Sequence, residues 1–138
     1  MDFSFLEIDD YIDYIHNWEK DFPKLIETER LLLKKQASDS AAILYFIYLK
    51  ESNENIGPIS IMADGEIWYK IYSDHNKNKG YMTEALSGLI EKCTCNYLYL
   101  SIQRDNKASI KVAKKLKLKY EGKSSSRKCL IYSIKKSN

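Results

Sequence analysis

A strand-like run, Glu66-Ile67-Trp68-Tyr69-Lys70-Ile71-Tyr72, is followed by a polar stretch, Ser73-Asp74-His75-Asn76-Lys77-Asn78-Lys79, then by Gly80 and a helix-like run from Tyr81 to Lys92. No other part of the chain constrains the fold as much. It joins a strand to a helix through a polar turn, with glycine where the helix opens. The first amides of a helix have no intrahelical partner, and the helix dipole places partial positive charge beside them. Phosphate suits such an end, and Lys77 and Lys79 would add full charges. The turn carries one glycine, not the three of a dinucleotide fingerprint, and no Gly-Lys-Ser/Thr of a P-loop.

The remaining pattern gives an order of elements. Phe3 to Ile8 alternates as a short strand, and Asp9-Asp10 opens a helix that carries Tyr11, Ile12, Tyr14, Ile15 and Trp18 at helical spacing. Phe22-Pro23 breaks that run, and Pro23 suits the first turn of a second helix with an apolar face of Leu25, Ile26, Leu31, Leu32 and Leu33, ending near Gln36. Ala37-Ser38-Asp39-Ser40 reads as loop. Ile43 to Leu49 and Ile56 to Met62 read as strands around a turn at Ser52-Asn53-Glu54-Asn55. Ala63-Asp64-Gly65 is a second hairpin turn. After the helix at Tyr81 come a strand at Tyr97–Ile102, a helix from Asn106 to Lys117, a strand at Leu118–Glu121, a serine loop and a strand at Cys129–Ile134. The expectation is one α+β domain over residues 1–138 with a mixed, mostly antiparallel sheet flanked by helices. Its order is strand, helix, helix, three strands, helix, strand, helix, two strands.

Charge is unevenly placed. The net +3 combines an acidic stretch over residues 1–103, with seventeen acidic and ten basic side chains, with a segment from Arg104 to Asn138 that holds two acidic and twelve basic side chains. That segment could face an anion, whether a phosphorylated cofactor, nucleic acid or a membrane surface, or it could be a solvated lysine face. No apolar run approaches the ~18–20 residues that span a bilayer. The start, Met1 to Glu7, lacks the basic flank and apolar stretch of a secretory signal. Three cysteines, with Cys93 and Cys95 too close for a usual disulfide, point to free thiols in a reducing cytoplasm. His16 and His75 are too few for a zinc site with them, so no metal is expected.

Three motifs, in order and at the right spacing, resemble the GNAT family of N-acetyltransferases, in particular its ribosomal-protein-alanine acetyltransferase-like branch. They are Asn55-Ile56-Gly57-Pro58-Ile59-Ser60-Ile61, then Glu66 to Ile71 with Lys79-Gly80-Tyr81-Met82-Thr83-Glu84-Ala85-Leu86, then Asn106-Lys107-Ala108-Ser109-Ile110-Lys111-Val112-Ala113-Lys114-Lys115-Leu116. The resemblance is detailed from about residue 41 to 122. It implies acetyl-CoA as co-substrate, a primary amine as acceptor and no metal. It implies that the strand Glu66–Tyr72 splays from the strand Tyr97–Ile102, with pantetheine in the gap against backbone groups of Ile71 and Tyr72. The pyrophosphate would rest on the amides of Asn76, Lys77, Asn78, Lys79, Gly80 and Tyr81. His75 takes the place of a family Gln/Arg. Asn106 would reach the pantetheine or the reacting centre, and Lys115 the phosphates. Subunit pairing is common in the family, so a homodimer is among its implications.

Two positions depart from the family pattern. Asn78 stands where the first turn glycine is usual, and Asn tolerates left-handed backbone better than most residues. Lys117 stands where a glycine usually ends the last helix, at a cost of about 1 kcal/mol if it is left-handed. Acetyl transfer needs a neutral amine, a route for its proton and a polarised thioester. Many family members carry a Tyr on the last helix where this chain has Ala113. The candidates are Glu66 as base, directly or through water, with Ser109 and Tyr81 as hydroxyl donors. Glu84 reads as a structural contact. Asp9, Asp10, Asp13, Glu19 and Asp21 would border the acceptor side, which suits a cationic amine such as a protein N-terminus, a polyamine or an amino sugar, or they form an ordinary solvated face. Two other classes remain open: a CoA-binding module without turnover, and a small basic nucleic-acid-binding protein. The latter lacks aromatic interleaving and any nucleic-acid motif.

Overall fold

The computed structural model describes residues 18–37, 42–124 and 128–136. The strand at Phe3–Ile8, most of the helix from Asp9, the acidic residues Asp9, Asp10 and Asp13, and most of the loop 37–40 and of the serine loop lie outside the described residues.

Two antiparallel sheets make up the frame. The first has five strands in sequential order: β1 (Leu25–Glu27), β2 (Leu31–Lys35), β3 (Ile43–Leu49), β4 (Asn55–Ile61) and β5 (Ile67–Tyr69). The second has three: β6 (Tyr97–Gln103) beside β8 (Cys129–Lys135), with β7 (Lys119–Lys123) on the outside. Helix α1 (Tyr81–Lys92) precedes β6, and helix α2 (Lys107–Lys115) lies between β6 and β7.

The segment expected as a second helix is instead the β1–β2 hairpin. Leu25 faces Lys34 and Ile26 faces Leu33 across it, with Thr28, Glu29 and Arg30 in the turn. The three successive leucines fit a helix face by composition, but their burial alternates: Leu31 and Leu33 are fully buried and Leu32 is not. Period-two burial belongs to a strand. Pairing of β2 with β3, Leu33 opposite Ile47, supplies the partner that decides it. The α+β class and the later elements stand as expected, within two residues at most ends. The exception is the strand Glu66–Tyr72, of which only Ile67–Tyr69 forms ladder pairs.

The core lies between the first sheet and the helices. Leu31, Leu33, Tyr45, Ile47, Ile56, Ile59, Ile61, Leu86 and Leu89 are fully buried. Helix α1 contributes its Met82, Ala85, Leu86 and Leu89 face and comes close to β1 through Gly88, where an added Cβ would lie 2.7 Å from the Thr28 methyl. Gly57 has φ +150, and a Cβ there would lie 1.9 Å from the Lys70 carbonyl oxygen. The Ile-Gly of the first motif therefore lets residues 70–72 run close along β4. Lys70 N–H donates to Pro58 O at 3.2 Å and Tyr72 N–H donates to Ile56 O at 2.9 Å.

The two sheets meet through one parallel bridge, Glu66 to Tyr99, where Tyr99 N–H donates to Gly65 O at 3.0 Å. Beyond it β5 stays with β4 and β6 stays with β8. A gap opens between them, and the site is built around it.

Candidate active site

Two cavities flank the gap. The first, about 590 Å³, runs from Tyr69, Lys70 and Ile71 past the turn residues Asn76, Lys77, Asn78 and Gly80. The first turn of α1 closes one side, and Ser109, Lys111, Val112 and Lys115 of α2 close the other. The second cavity, about 490 Å³, lies between Glu66, Trp68 and Tyr69 on one wall and Leu100, Ser101 and Ile102 on the other. Tyr69, Asn106 and Ser109 line both cavities.

The phosphate end is built from backbone. Asp74–Asn76 forms a single 3-10 turn, in which Asn76 N–H donates to Ser73 O and Lys77 N–H to Asp74 O, each at 3.0 Å. Those two amides are thereby taken, contrary to the expectation that a pyrophosphate would use them. Beyond them Asn78 (φ 62) and Gly80 (φ 79) are both left-handed. Asn therefore does at 78 what a glycine would do. The first intrahelical donor is Glu84 N–H, bonded to Gly80 O at 3.0 Å. The amides of Tyr81, Met82 and Thr83 precede it and stand at the positive end of α1. Such an end suits an anion, and Lys111 and Lys115 of α2 line the cavity across from it. Lys107, Lys111 and Lys115 recur at four-residue intervals along α2, a spacing that identifies Lys111 as a partner of the expected Lys115.

The other phosphate candidates are placed less directly. Lys77 lines the cavity, but its ammonium is paired with Asp74 at 2.9 Å. That hydrogen bond and charge hold the Asp74 carboxyl below its ordinary range. His75 and Lys79 are not among the cavity walls. His75 Nε2 lies 3.4 Å from Glu54, whose carboxylate also accepts from the buried amide of Asn76 at 3.0 Å. Lys79 contributes its carbonyl to Arg30 instead. Tyr72 is exposed and outside the walls, and its N–H is bonded to β4. Ile71, one residue earlier, lines the cavity. Alternation along an antiparallel strand turns its backbone groups to the edge facing the gap.

A strut that the sequence reading missed supports the turn from behind. Arg30, in the β1–β2 turn, pairs Nε with Glu84 Oε1 at 2.6 Å and donates Nη1 to Lys79 O at 3.0 Å. Its guanidinium lies 4.5 Å from the centre of the Tyr81 ring. Glu84 also accepts from Thr28 Oγ1 at 2.5 Å and from Arg30 N–H at 2.9 Å. Burial pushes the Glu84 carboxyl up, but these donors together with the Arg30 charge outweigh it and hold the group below the usual carboxylate range. Glu84 is the structural contact expected of it. Tyr81, a candidate hydroxyl donor, lines the first cavity only and carries Arg30 on its ring.

At the junction Asn106 caps α2, accepting Ser109 N–H on Oδ1 at 3.1 Å. Ser109 Oγ accepts a hydrogen bond from the Tyr69 hydroxyl at 2.6 Å. Burial raises the Tyr69 phenol above its ordinary pKa, more than the bond to Ser109 lowers it. Tyr69 was not among the expected site residues. The signal was strand alternation, which sets Ile67, Tyr69 and Ile71 on one side while Trp68 and Lys70 are exposed on the other. Glu66 lines the second cavity and is 7% exposed, not a solvent-facing strand end. Its Oε1 lies 3.4 Å from the Tyr99 hydroxyl, which also donates to Asp64 at 2.7 Å. Ser101 Oγ is buried and has no hydrogen-bond partner in the structure, and Ser101 lines the same cavity. Among the described residues no group of three or more His, Cys, Asp or Glu is placed to hold a metal, and no helix is long and apolar enough to cross a membrane.

Comparison with known proteins bears on the family and the fold. A family model described as an acetyltransferase (GNAT) domain matches residues 6–119. No curated protein matches the chain. Among solved structures, an acetyltransferase from Agrobacterium tumefaciens is 19% identical with a TM-score of 0.68, covering 81% of this chain and 94% of its own. RimL, a ribosomal L7/L12 alpha-N-protein acetyltransferase solved with coenzyme A, is 15% identical with a TM-score of 0.69, covering 81% of this chain and 98% of its own. MccE, a microcin C7 self-immunity acetyltransferase solved with acetyl-CoA and AMP, is 21% identical with a TM-score of 0.58, covering 70% of this chain and 62% of its own.

Proposed function

The chain belongs to the acetyltransferase (GNAT) domain family, an acetyl-CoA-dependent class of enzyme, and from that premise we propose that it moves an acetyl group from acetyl-CoA to a primary amine by direct attack, with both substrates bound together. One observation carries this reading: the two cavities share Tyr69, Asn106 and Ser109 and so meet at one place. A two-substrate reaction without a covalent enzyme intermediate needs just such a meeting of two separate approaches.

The residues of the first cavity fit acetyl-CoA. The amides of Asn78 and of Gly80 to Thr83 offer hydrogen bonds to a pyrophosphate, and Lys111 and Lys115 offer charge. The outward backbone of Ile71 can pair with pantetheine amides as an added strand would. Acetyl-CoA supplies an activated thioester. The protein's own groups have to orient it, take a proton from the amine and stabilise the leaving sulfur.

The second cavity is the acceptor side in this reading. Glu66, a buried carboxylate on its wall, attracts a cationic amine and takes its proton directly or through water. The nitrogen–carbon bond then forms and the carbon–sulfur bond breaks, with the electron pair passing to sulfur. Ser109 stands at the junction as the hydroxyl donor, and Tyr81 stands nearer the phosphate end. The acceptor class comprises protein N-termini, polyamines and small amines. The likeness to RimL, a ribosomal L7/L12 alpha-N-protein acetyltransferase, favours a protein N-terminus. A cytoplasmic setting suits three cysteines that form no disulfide.

The test is the melting temperature with and without saturating acetyl-CoA, with adenosine diphosphate as control. Ligand at ~100 times its dissociation constant adds about 2.7 kcal/mol of stability. A shift specific to acetyl-CoA, followed by amine-dependent thiol release, is the expected result. An absent shift, or binding with no thiol release across peptide, polyamine and small-amine acceptors, contradicts the reading.

A further inference from the structure

We propose that Tyr69 is a positioning residue for acetyl transfer: its hydroxyl, donated to Ser109 Oγ, frees the single proton of Ser109 to point at the junction of the two cavities. The inference rests on the acetyltransferase reading above and adds a chemical role to a residue which that reading uses only as a wall shared by the two cavities.

Relative acidity decides who donates. Tyr69 stands on β5 and Ser109 on the first turns of α2, and their oxygens are 2.6 Å apart across the gap. Each hydroxyl has one proton. The phenol is the stronger acid of the two, so it donates and the serine oxygen accepts. Burial keeps the Tyr69 phenol protonated through the neutral range, so it acts as a constant donor. Ser109 is then left with its own proton and no demand for it from Tyr69.

A serine inside a helix commonly gives that proton to a carbonyl of the preceding turn. The bond from Tyr69 opposes this by fixing which lone pair of Oγ is occupied. Asn106 fixes the backbone at the same point, since its Oδ1 accepts Ser109 N–H at 3.1 Å. Tyr69 thus holds the Ser109 oxygen while Asn106 holds the Ser109 backbone. On the next turn of α2, Ala113 is 0% exposed and carries no hydroxyl, so Ser109 has no substitute there.

The chemistry needs such a donor where charge develops. As the carbon–sulfur bond breaks, the electron pair goes to sulfur, while the proton of the amine leaves on the Glu66 side. A preoriented O–H stabilises that sulfur without reorganising during the reaction. Tyr69 does not touch the sulfur in this scheme; it acts through Ser109.

The experiment is a double-mutant cycle with Tyr69→Phe, Ser109→Ala and the pair, read as kcat and KM for acetyl-CoA by thiol release. Phenylalanine keeps the ring and its packing. Tyr69→Phe is expected to lower kcat about 10–100-fold, with KM changed less than about threefold and the melting temperature close to wild type. Ser109→Ala is expected to lower kcat at least as much, and the double variant no further than Ser109→Ala alone. Wild-type kcat in Tyr69→Phe overturns the inference, as does a double variant whose loss is the product of the two single losses. If Tyr69→Phe does not fold, Tyr69→Leu takes its place in the same cycle with the same expected and overturning results, and wild-type kcat in Ser109→Ala overturns the inference in either case. A wild-type protein that releases no thiol from acetyl-CoA overturns the acetyltransferase reading itself, which separates the two failures.

Discussion

Arg30 and Glu84, 54 positions apart in the chain, are joined side chain to side chain at 2.6 Å, and the same guanidinium holds the Lys79 carbonyl. The hairpin turn between β1 and β2 thereby props the phosphate turn and the first turn of α1. Arg30→Ala should loosen that turn without touching the junction at Ser109. The expected outcome is an acetyl-CoA dissociation constant raised about tenfold, measured calorimetrically, with kcat at saturation little changed. That loss corresponds to ~1.4 kcal/mol, within the range of a charge-assisted hydrogen bond. An unchanged dissociation constant would show that the turn holds its shape unaided.

Glu84 also gives a pH signature. Its carboxyl is held below the ordinary 4.5 by Thr28 and Arg30, against the upward push of burial. A depressed carboxylate contributes stability that is present above the unfolded-state pKa and is lost as pH falls through the folded one. Melting temperature should therefore fall as pH drops below about 4.5, and the fall should be shallower in Glu84→Gln. Parallel curves for the two proteins would assign the acid sensitivity to other carboxylates.

Two glycines should respond differently to alanine. At Gly57 a Cβ would meet the Lys70 carbonyl at 1.9 Å, so β4 and residues 70–72 cannot both keep their places. Gly57→Ala is expected to cost about 3 kcal/mol or more, or to prevent folding. At Gly80 the nearest atom is the end of the flexible Arg30 side chain at 3.5 Å, and the main penalty is the left-handed φ. Gly80→Ala should cost about 1 kcal/mol. Chemical denaturation of both variants checks the order, and equal losses would contradict it.

Lys117 is left-handed at φ 59, one residue past Leu116, the cap of α2. A glycine there removes the Cβ conflict, although it loosens the unfolded chain. Lys117→Gly should raise stability by about 0.5–1 kcal/mol, read from the midpoint of urea unfolding. A lowered midpoint would mean that the lysine side chain contributes more than its backbone costs.

Glu66→Gln keeps size and hydrogen bonding while removing the charge. Turnover should drop about a hundredfold or more, with acetyl-CoA binding intact, because Glu66 lines the second cavity and not the first. Wild-type turnover in this variant removes Glu66 from the mechanism.

Local patterns in the sequence carried much of this layout. Turn chemistry at Asp64-Gly65, the aromatic and β-branched run of β3 and the glycine at the opening of α1 are local signals, and each element is where those signals put it. Three successive leucines were not decisive, because a helix face and a strand can both use them. Pairing of Leu33 with Ile47 resolves it, and that contact is not visible in a local window. The same limit hid Tyr69 and Arg30. Tyr69 meets Ser109 across 40 positions, and its meaning appears only once β5 and α2 stand on opposite sides of the gap. The amides of Asn76 and Lys77 look available in a one-dimensional reading, and become engaged because Asp74–Asn76 closes into a 3-10 turn.

Amide hydrogen exchange with and without saturating acetyl-CoA tests the central claim most directly. Binding in the first cavity should slow exchange at Asn78 to Thr83 and at Ile71, and leave the outer strand β7 unchanged. Protection that misses both Ile71 and the opening of α1, or that falls on Glu66, Leu100 and Ser101, which line the second cavity alone, would contradict the assignment of the two cavities.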